Sequence, residues 1–254
     1  MSDFLGVVAA LNAEAQCLYR PTPEAGILLG ISGMGPDLAR QAAARLVQEG
    51  VKALASWGIA AGLAEGLRAG SLVLPHCVVT GRAQITVDEH WHQRLFSRLI
   101  ESLPVHSGAI AHTPIALSSR AQKASLHAET DAMAADMESM AVAQVARKAG
   151  LPFVAIRAIA DPCDLTLPHC ALNAVDDAGQ SKLTKLLPGL ARSPLDLVPL
   201  IALGIAFHKA LTTLRYVSKY AGPLLMASVS ATLAQLVPSA RPIGERFSES
   251  ETST

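Results

Sequence analysis

The chain has 254 residues, is 50% hydrophobic and 17% charged, and balances 21 basic against 21 acidic side chains. That length suits one α/β domain with a substantial core, and the balance excludes the basic excess or stripe expected of a nucleic-acid-binding protein. Its four cysteines, Cys17, Cys77, Cys163 and Cys170, form no C-x-x-C pair and no zinc-ligand spacing, so they read as reduced thiols of a cytosolic protein.

The first sixteen residues, MSDFLGVVAALNAEAQ, lack a basic leader and carry Asp3 and Glu14, which argues for a first β-strand and against an export signal. FLGVVAAL (4–11) and AGILLGIS (25–32) read as buried strands. Pro36 then opens a helix whose Leu38, Ala42, Ala43, Leu46 and Val47 form one apolar stripe. ALASWGIAAGL (53–63) reads as a strand running into a glycine-punctuated turn. GSLVLPHCVVTG (70–81) reads as another, with Pro75 implying an edge or a bulge. A helix is expected over 89–103, a strand over 105–112, a helix over 138–149 ending at Gly150, and a strand PFVAIRAIAD closing at Asp161. This alternation implies a layered α/β fold around one sheet.

Beyond Asp161 the pattern changes, which divides the chain into an α/β domain over 1–194, an apolar helical segment over 195–238 and a polar, disordered tail over 239–254. The run LDLVPLIALGIAF is apolar on every side but is interrupted by Pro199 and ended by His208 and Lys209, too short to span a bilayer. After it, His208, Thr212, Arg215 and Lys219 share one helical face, with Phe207, Leu211, Leu214 and Val217 turned away. Such a segment either packs on the domain's own sheet or lies on an anionic lipid surface.

Several residues invite a chemical reading, each beside a plainer one. GISGMGP (30–36) is a strand-to-helix turn that could present N–H groups to an anion, or simply a tight turn needing Gly33 and Gly35. It lacks both the third glycine of a dinucleotide fingerprint and a phosphate-loop lysine. Glu14 sits just past the first strand, either in a ligand crevice or as a solvated first-turn glutamate. Asp161 ends its strand, suited to acid–base work or to an ordinary helix cap. In ADMESMAVAQVA (135–146), Asp136 and Glu138 either cap a helix or face a ligand. Strand alternation turns Arg157, Ile159 and Asp161 the same way, so Arg157 is expected to pair with a carboxylate in the site.

The order of these stretches, VVAALNAEA, GISGMGPDLARQAAARL, SWGIAAGLAEGLRAGSLVLP, ADMESMAVAQVA and PFVAIRAIAD, resembles the nucleoside phosphorylases and nucleosidases, in the branch of methylthioadenosine/S-adenosylhomocysteine nucleosidase. The later ADPCDLTLPHCALNAVD and the proline-studded apolar C-terminus resemble the hopanoid-associated subgroup, to which removal of adenine from adenosylhopane is assigned. The resemblance implies a three-layer α/β fold around a central mixed sheet, a homodimer, a small-molecule nucleoside substrate, and no metal or other cofactor. It implies that Glu14 activates water, that Asp161 protonates the leaving purine, and that Glu138 with Met137 binds the ribose. Arg157, Gly58, Ile59 and Gly33 would support the site, and Leu117 would lie against the base.

The chemistry accounts for those residue types. Cleaving an N-glycosidic bond passes through an oxocarbenium-like sugar, which calls for an acid at the leaving base, a base for the nucleophile and negative charge near the ribose. The acid must hold its proton, so burial is expected to raise the pKa of Asp161. Two departures stand out: Ile59 replaces a serine that helps hold phosphate in phosphorylases, and Ser56 stands where bacterial purine phosphorylases carry a phosphate-binding arginine. Isoleucine donates no hydrogen bond to phosphate, which favours hydrolysis. A methylthioadenosine or S-adenosylhomocysteine nucleosidase and a phosphorolytic enzyme remain alternatives. From another class, a silent nucleoside-binding or membrane-tethered scaffold is disfavoured by retention of both an acid and a base. The expected location is cytoplasmic, with the C-terminal segment as a membrane contact.

Overall fold

The computed structural model describes residues 4–18, 22, 25–81, 83–166 and 197–236 and, within the last stretch, the side chains of residues 200–222. Of the residues between Asp161 and residue 197 only 162–166 are described, and the tail expected to be disordered falls outside these residues. The described elements are β1 (Leu5–Ala9), α1 (Asn12–Ala15), β2 (Ile27–Ile31), α2 (Pro36–Gln48), β3 (Ala53–Gly62), β4 (Leu72–Val73), β5 (Cys77–Thr80) and β6 (Ala83–Thr86). There follow α3 (Glu89–Ile100), β7 (Val105–His106), β8 (Ala109–His112), α4 (Arg120–Thr130), β9 (Ala134–Asp136), α5 (Ser139–Ala149), β10 (Phe153–Asp161) and α6 (Leu197–Leu236).

All ten strands belong to one mixed sheet in the order β6-β5-β8-β9-β3-β10-β4-β7, with β1 set between β2 and β3. The runs 70–81 and 105–112 are not single strands, as the sequence suggested, but two bent pairs: β4 lies beside β7, and β5 beside β8. Pro75 and the Ser107–Gly108 step fall at the bends. Pairing continues across them, because the N–H groups of Leu74 and His76 donate to the carbonyls of His106 and Gly108 at 2.9 and 3.0 Å. The pair β5–β8, just inside one end of the strand order, and the pair β4–β7, at the other end, are therefore halves of the same bent pair, and the sheet curls round to rejoin itself. Such bends bring one strand into two parts of a sheet.

Strand β3 organises the rest. Its residues 53–57 pair in parallel with β1 and its residues 61–62 antiparallel with β9, on the edge opposite β10. Residues 58–60 thus have no strand partner on that edge. The strands are rich in buried alanine, valine and isoleucine, which suits a sheet covered on both faces. Helices α2 and α5 pack together as one layer and α3 with α6 as the other.

Helix α6 runs unbroken from Leu197 to Leu236, so Pro199 does not interrupt it. That proline occupies the first turn, where its missing N–H would go unbonded in any case. Nor do His208 and Lys209 end it; its stretch Leu200–Gly222 is long and apolar enough to cross a membrane by length and composition alone, with 28% of that window buried against the protein. The faces fall as the spacing indicates: His208, Thr212, Arg215 and Lys219 are exposed, whereas Ala210, Leu214, Val217 and Ala221 are fully buried. These buried residues join the same core as β3 and β10, so the segment after residue 194 shares its core with the domain it follows. Truncating Leu214 leaves a cavity at that contact. Leu214→Ala should cost about 2–5 kcal/mol in urea unfolding, whereas Thr212→Ala on the outer face should stay within about 0.5 kcal/mol.

Candidate active site

The parallel strands β1, β2, β3 and β10 all end on one side of the sheet, where α/β folds collect their ligands. Glu14, on the short helix α1 just beyond β1, is 2% exposed rather than solvated. Its Oε1 accepts the Ile59 N–H at 2.9 Å, and its Oε2 accepts those of Ala10 and Leu11 at 3.0 and 2.8 Å. The Ile59 donor belongs to the part of β3 that neither β1 nor β9 reaches. Gly58 must be glycine for this contact, since a Cβ there would stand 2.6 Å from Glu14 Oε1. Burial raises the Glu14 pKa, against the pull of the Ile59, Leu11 and Ala10 N–H groups and of the Arg157 charge.

The two acids of the D-M-E stretch part company. Asp136 closes β9 and turns inward: its Oδ2 accepts Arg157 Nε at 2.6 Å and also the Ser139 hydroxyl, while its Oδ1 accepts the Ser139 N–H at 3.1 Å. The guanidinium goes on to Ser56 Oγ at 2.6 Å and Ser139 Oγ at 2.9 Å. This is the carboxylate partner expected for Arg157, in a fully buried network that also absorbs Ser56. Glu138, at the start of α5, reaches across to α2 instead, and its Oε1 accepts the Gly35 N–H at 2.7 Å. The anion held by the glycine-rich turn is therefore the protein's own carboxylate. Burial, then the nearby Asp136 charge, push the Glu138 pKa to about 7.

Asp161 follows a register shift between Ile159 and Asp161, so strict alternation from Arg157 is lost before it is reached. Burial raises its pKa to about 6, although Lys123 beside it pulls the other way. Lys123 Nζ donates to Asp161 Oδ1 at 2.7 Å. Neither α4 nor this lysine is marked by apolar periodicity. The S-x-x-Q spacing of Ser119 and Gln122, a capping box in the structure, is the signal that identifies the helix.

Glu14, Glu138 and Asp161 converge on one cavity of about 170 Å³, whose walls include Met34, Ile59, Leu117 and Met137. Thr113 and Ala116 complete the wall beside Leu117, the residue expected against the base. Gly33 and Arg157 stand behind the lining; Gly33, at φ +86°, donates its N–H to Ala10 O at 3.1 Å and fixes the turn against β1. Among the described residues, four carboxylates and no lysine or arginine line the cavity. Among the described residues, no group of three or more histidine, cysteine, aspartate or glutamate side chains is arranged to hold a metal. A buried acid whose pKa is raised well above the ordinary carboxylate range, in one cavity with an anchored carboxylate, can protonate one side of a bond while the carboxylate activates a nucleophile on the other.

A family model described as the phosphorylase superfamily matches residues 22–191. Among solved structures, the chain is similar to futalosine hydrolase of Helicobacter pylori, with a TM-score of 0.66 and 16% identity over 90% of this chain and 98% of that one. It is also similar to S-adenosylhomocysteine nucleosidase from Streptococcus pyogenes, at 0.64 and 16% over 89% and 97% of the two chains. The 5′-methylthioadenosine/S-adenosylhomocysteine nucleosidase from Neisseria meningitidis gives 0.61 and 18% over 91% and 99%. No curated protein matches the sequence. At these identities the likeness to solved structures carries the fold.

Removing one partner of a buried pair strands the other's charge. Asp136→Ala should therefore cost about 3–5 kcal/mol in denaturant unfolding, whereas Asp37→Ala, whose side chain is 93% exposed, should leave the midpoint unchanged.

Proposed function

The chain belongs to the phosphorylase superfamily, and on that premise we propose that it is a purine nucleosidase that cleaves the N-glycosidic bond of a 5′-modified adenosine with water. One observation carries this reading: Glu14, Glu138 and Asp161, each held differently, meet with Asp136 in a cavity whose remaining described walls are apolar apart from Thr113. In the reaction, Glu14 accepts a proton from water as its oxygen bonds to C1′. The bond from C1′ to the purine breaks, its electron pair leaves with the base, and Asp161 supplies the proton that neutralises it. Glu138, with Met137 beside it, faces the ribose hydroxyls, and its charge supports the positive sugar of the transition state.

Water is favoured over phosphate by the lining itself. A phosphate dianion needs cationic or N–H donors, yet the described residues of this cavity present carboxylates and no lysine or arginine. The Gly35 N–H at the start of α2 is already occupied by Glu138, and Ile59 N–H by Glu14.

For the 5′ substituent, the reading we favour is adenosylhopane, with methylthioadenosine or S-adenosylhomocysteine as the alternative suggested by the names of similar structures. Apolar walls and the 61% exposed Ile115, next to Ala116 and Leu117, support an apolar group there. A hopane chain would partition into lipid, and the exposed Ile201 and Ile205 of α6 are the surface we assign to a membrane contact. Changing both isoleucines to glutamate should abolish flotation with anionic liposomes while leaving adenine release from a soluble nucleoside intact; undiminished flotation would remove that role.

Two kinetic outcomes test the chemistry. Adenine release should be indifferent to added phosphate and yield a free sugar that takes up ¹⁸O from labelled water; a sugar 1-phosphate would overturn hydrolysis. Asp161 must be protonated to act, and its pKa is raised to about 6, so kcat/KM should fall as pH rises through that value. Asp161→Asn should lower kcat at least ~100-fold with little change in KM, and near-normal turnover would remove Asp161 from the mechanism.

A further inference from the structure

We propose that Lys123 is the positioning residue of this site: its ammonium holds Asp161 Oδ1 and thereby presents the proton of Asp161 on Oδ2, toward the cavity. The inference rests on the reading of Asp161 as the proton donor. Helix α4 has eleven residues, and the only one buried is a lysine, 0% exposed. Lysine is almost never fully buried unless paired, so its partners define its purpose. Nζ donates to Asp161 Oδ1 at 2.7 Å, Pro162 O at 2.8 Å and Leu165 O at 2.7 Å. Three acceptors require three N–H bonds, and a neutral amine has only two. Lys123 is therefore an ammonium, and every one of its protons is committed.

Two consequences follow for Asp161. The carboxyl torsion of an aspartate is intrinsically broad, so the bond to Lys123 selects its orientation. Because Oδ1 faces a group that can only donate, a proton carried by Asp161 resides on Oδ2, and Asp161 lines the cavity. The same ammonium grips the carbonyls of Pro162 and Leu165, and Arg120, one turn earlier on α4, donates to Asp164 O. Together they hold the turn after β10 that carries the acid. When Asp161 gives its proton to the departing base, a neutral acid beside a cation becomes an ion pair, so the transfer creates an attraction absent beforehand. Burial raises the pKa of Asp161 and Lys123 lowers it, which keeps the acid able both to hold and to release its proton.

The test uses the full chain. Asp161 ¹³Cγ is titrated by NMR in the wild type and in Lys123→Met, alongside the pH profile of adenine release. The midpoint should rise by at least about one unit in the variant, the alkaline limb of kcat/KM should move with it, and kcat should fall at least ~10-fold at little cost in KM. An unmoved midpoint, or a moved midpoint with an unmoved limb, overturns the proposal. Should the wild type release no adenine while the midpoint still moves, the nucleosidase reading fails and this role with it, but the ion pair stands. Because Lys123→Met strands a buried aspartate, the change is repeated in Asp161→Asn, which removes both charges. There it should alter kcat less than about twofold; a tenfold loss in that background would mark a merely structural lysine and overturn the proposal.

Discussion

The Ile59 N–H is the group on which this site depends. Strand β3 gives one edge to two partners, β1 along 53–57 and β9 at 61–62, and no described strand covers the residues between. A buried backbone donor left unbonded costs about 1–3 kcal/mol, so something must fill the gap. Glu14 fills it at 2.9 Å. A topological switch in the sheet thus anchors a carboxylate at the cavity, and the anchoring group serves the fold as well as the chemistry. The neighbouring Gly58 is the counterpart of that arrangement, because any Cβ there would occupy the carboxylate's place.

Four acids share this region, and each has a different partner. Asp136 has the Arg157 guanidinium, Asp161 has Lys123, Glu14 has three backbone N–H groups, and Glu138 has the Gly35 N–H. Burial, then the nearby Asp136 charge, push Glu138 up to about 7, and burial raises Asp161 to about 6 against the pull of Lys123. Both carboxyls bind their protons more tightly folded than unfolded, so their contribution to stability falls as pH rises from the ordinary carboxylate range through those values. A cavity lined by such carboxyls is thereby a place of built-in instability at neutral pH, offset by the core around it.

That core includes the C-terminal helix. Ala210, Leu214, Val217 and Ala221 of α6 are fully buried in the cluster that holds β3 and β10. The helix also reaches the active-site side of the fold, where Cys17 Sγ, just after α1, lies 3.5 Å from Leu211 O. Removing α6 would expose the sheet face behind Glu14 and Asp161. Its outer face carries Ile201 and Ile205, each 54% exposed, with His208, Arg215 and Lys219 beyond them.

The sequence by itself determined the layered α/β class, most long elements, and the three carboxyls that meet in the cavity, because those features are local. Apolar runs and helical stripes mark buried strands and packed helices, and strand-end acids are visible beside them. It also assigned the two faces of α6, since residue spacing alone decides which side chains share a helix face. Only the tertiary structure decided which partner each acid takes. Asp136 and Glu138 are two residues apart, yet one turns to Arg157 and the other to Gly35, contacts 21 and 103 residues distant along the chain. Pro75 marked its own irregularity, but the bend at Gly108, the three-residue strand β9 and the pairing of Lys123 with Asp161 were illegible. Short strands carry too few residues for a periodicity, and a lysine in a polar helix looks solvated until the fold brings a carboxylate 38 positions away to its ammonium.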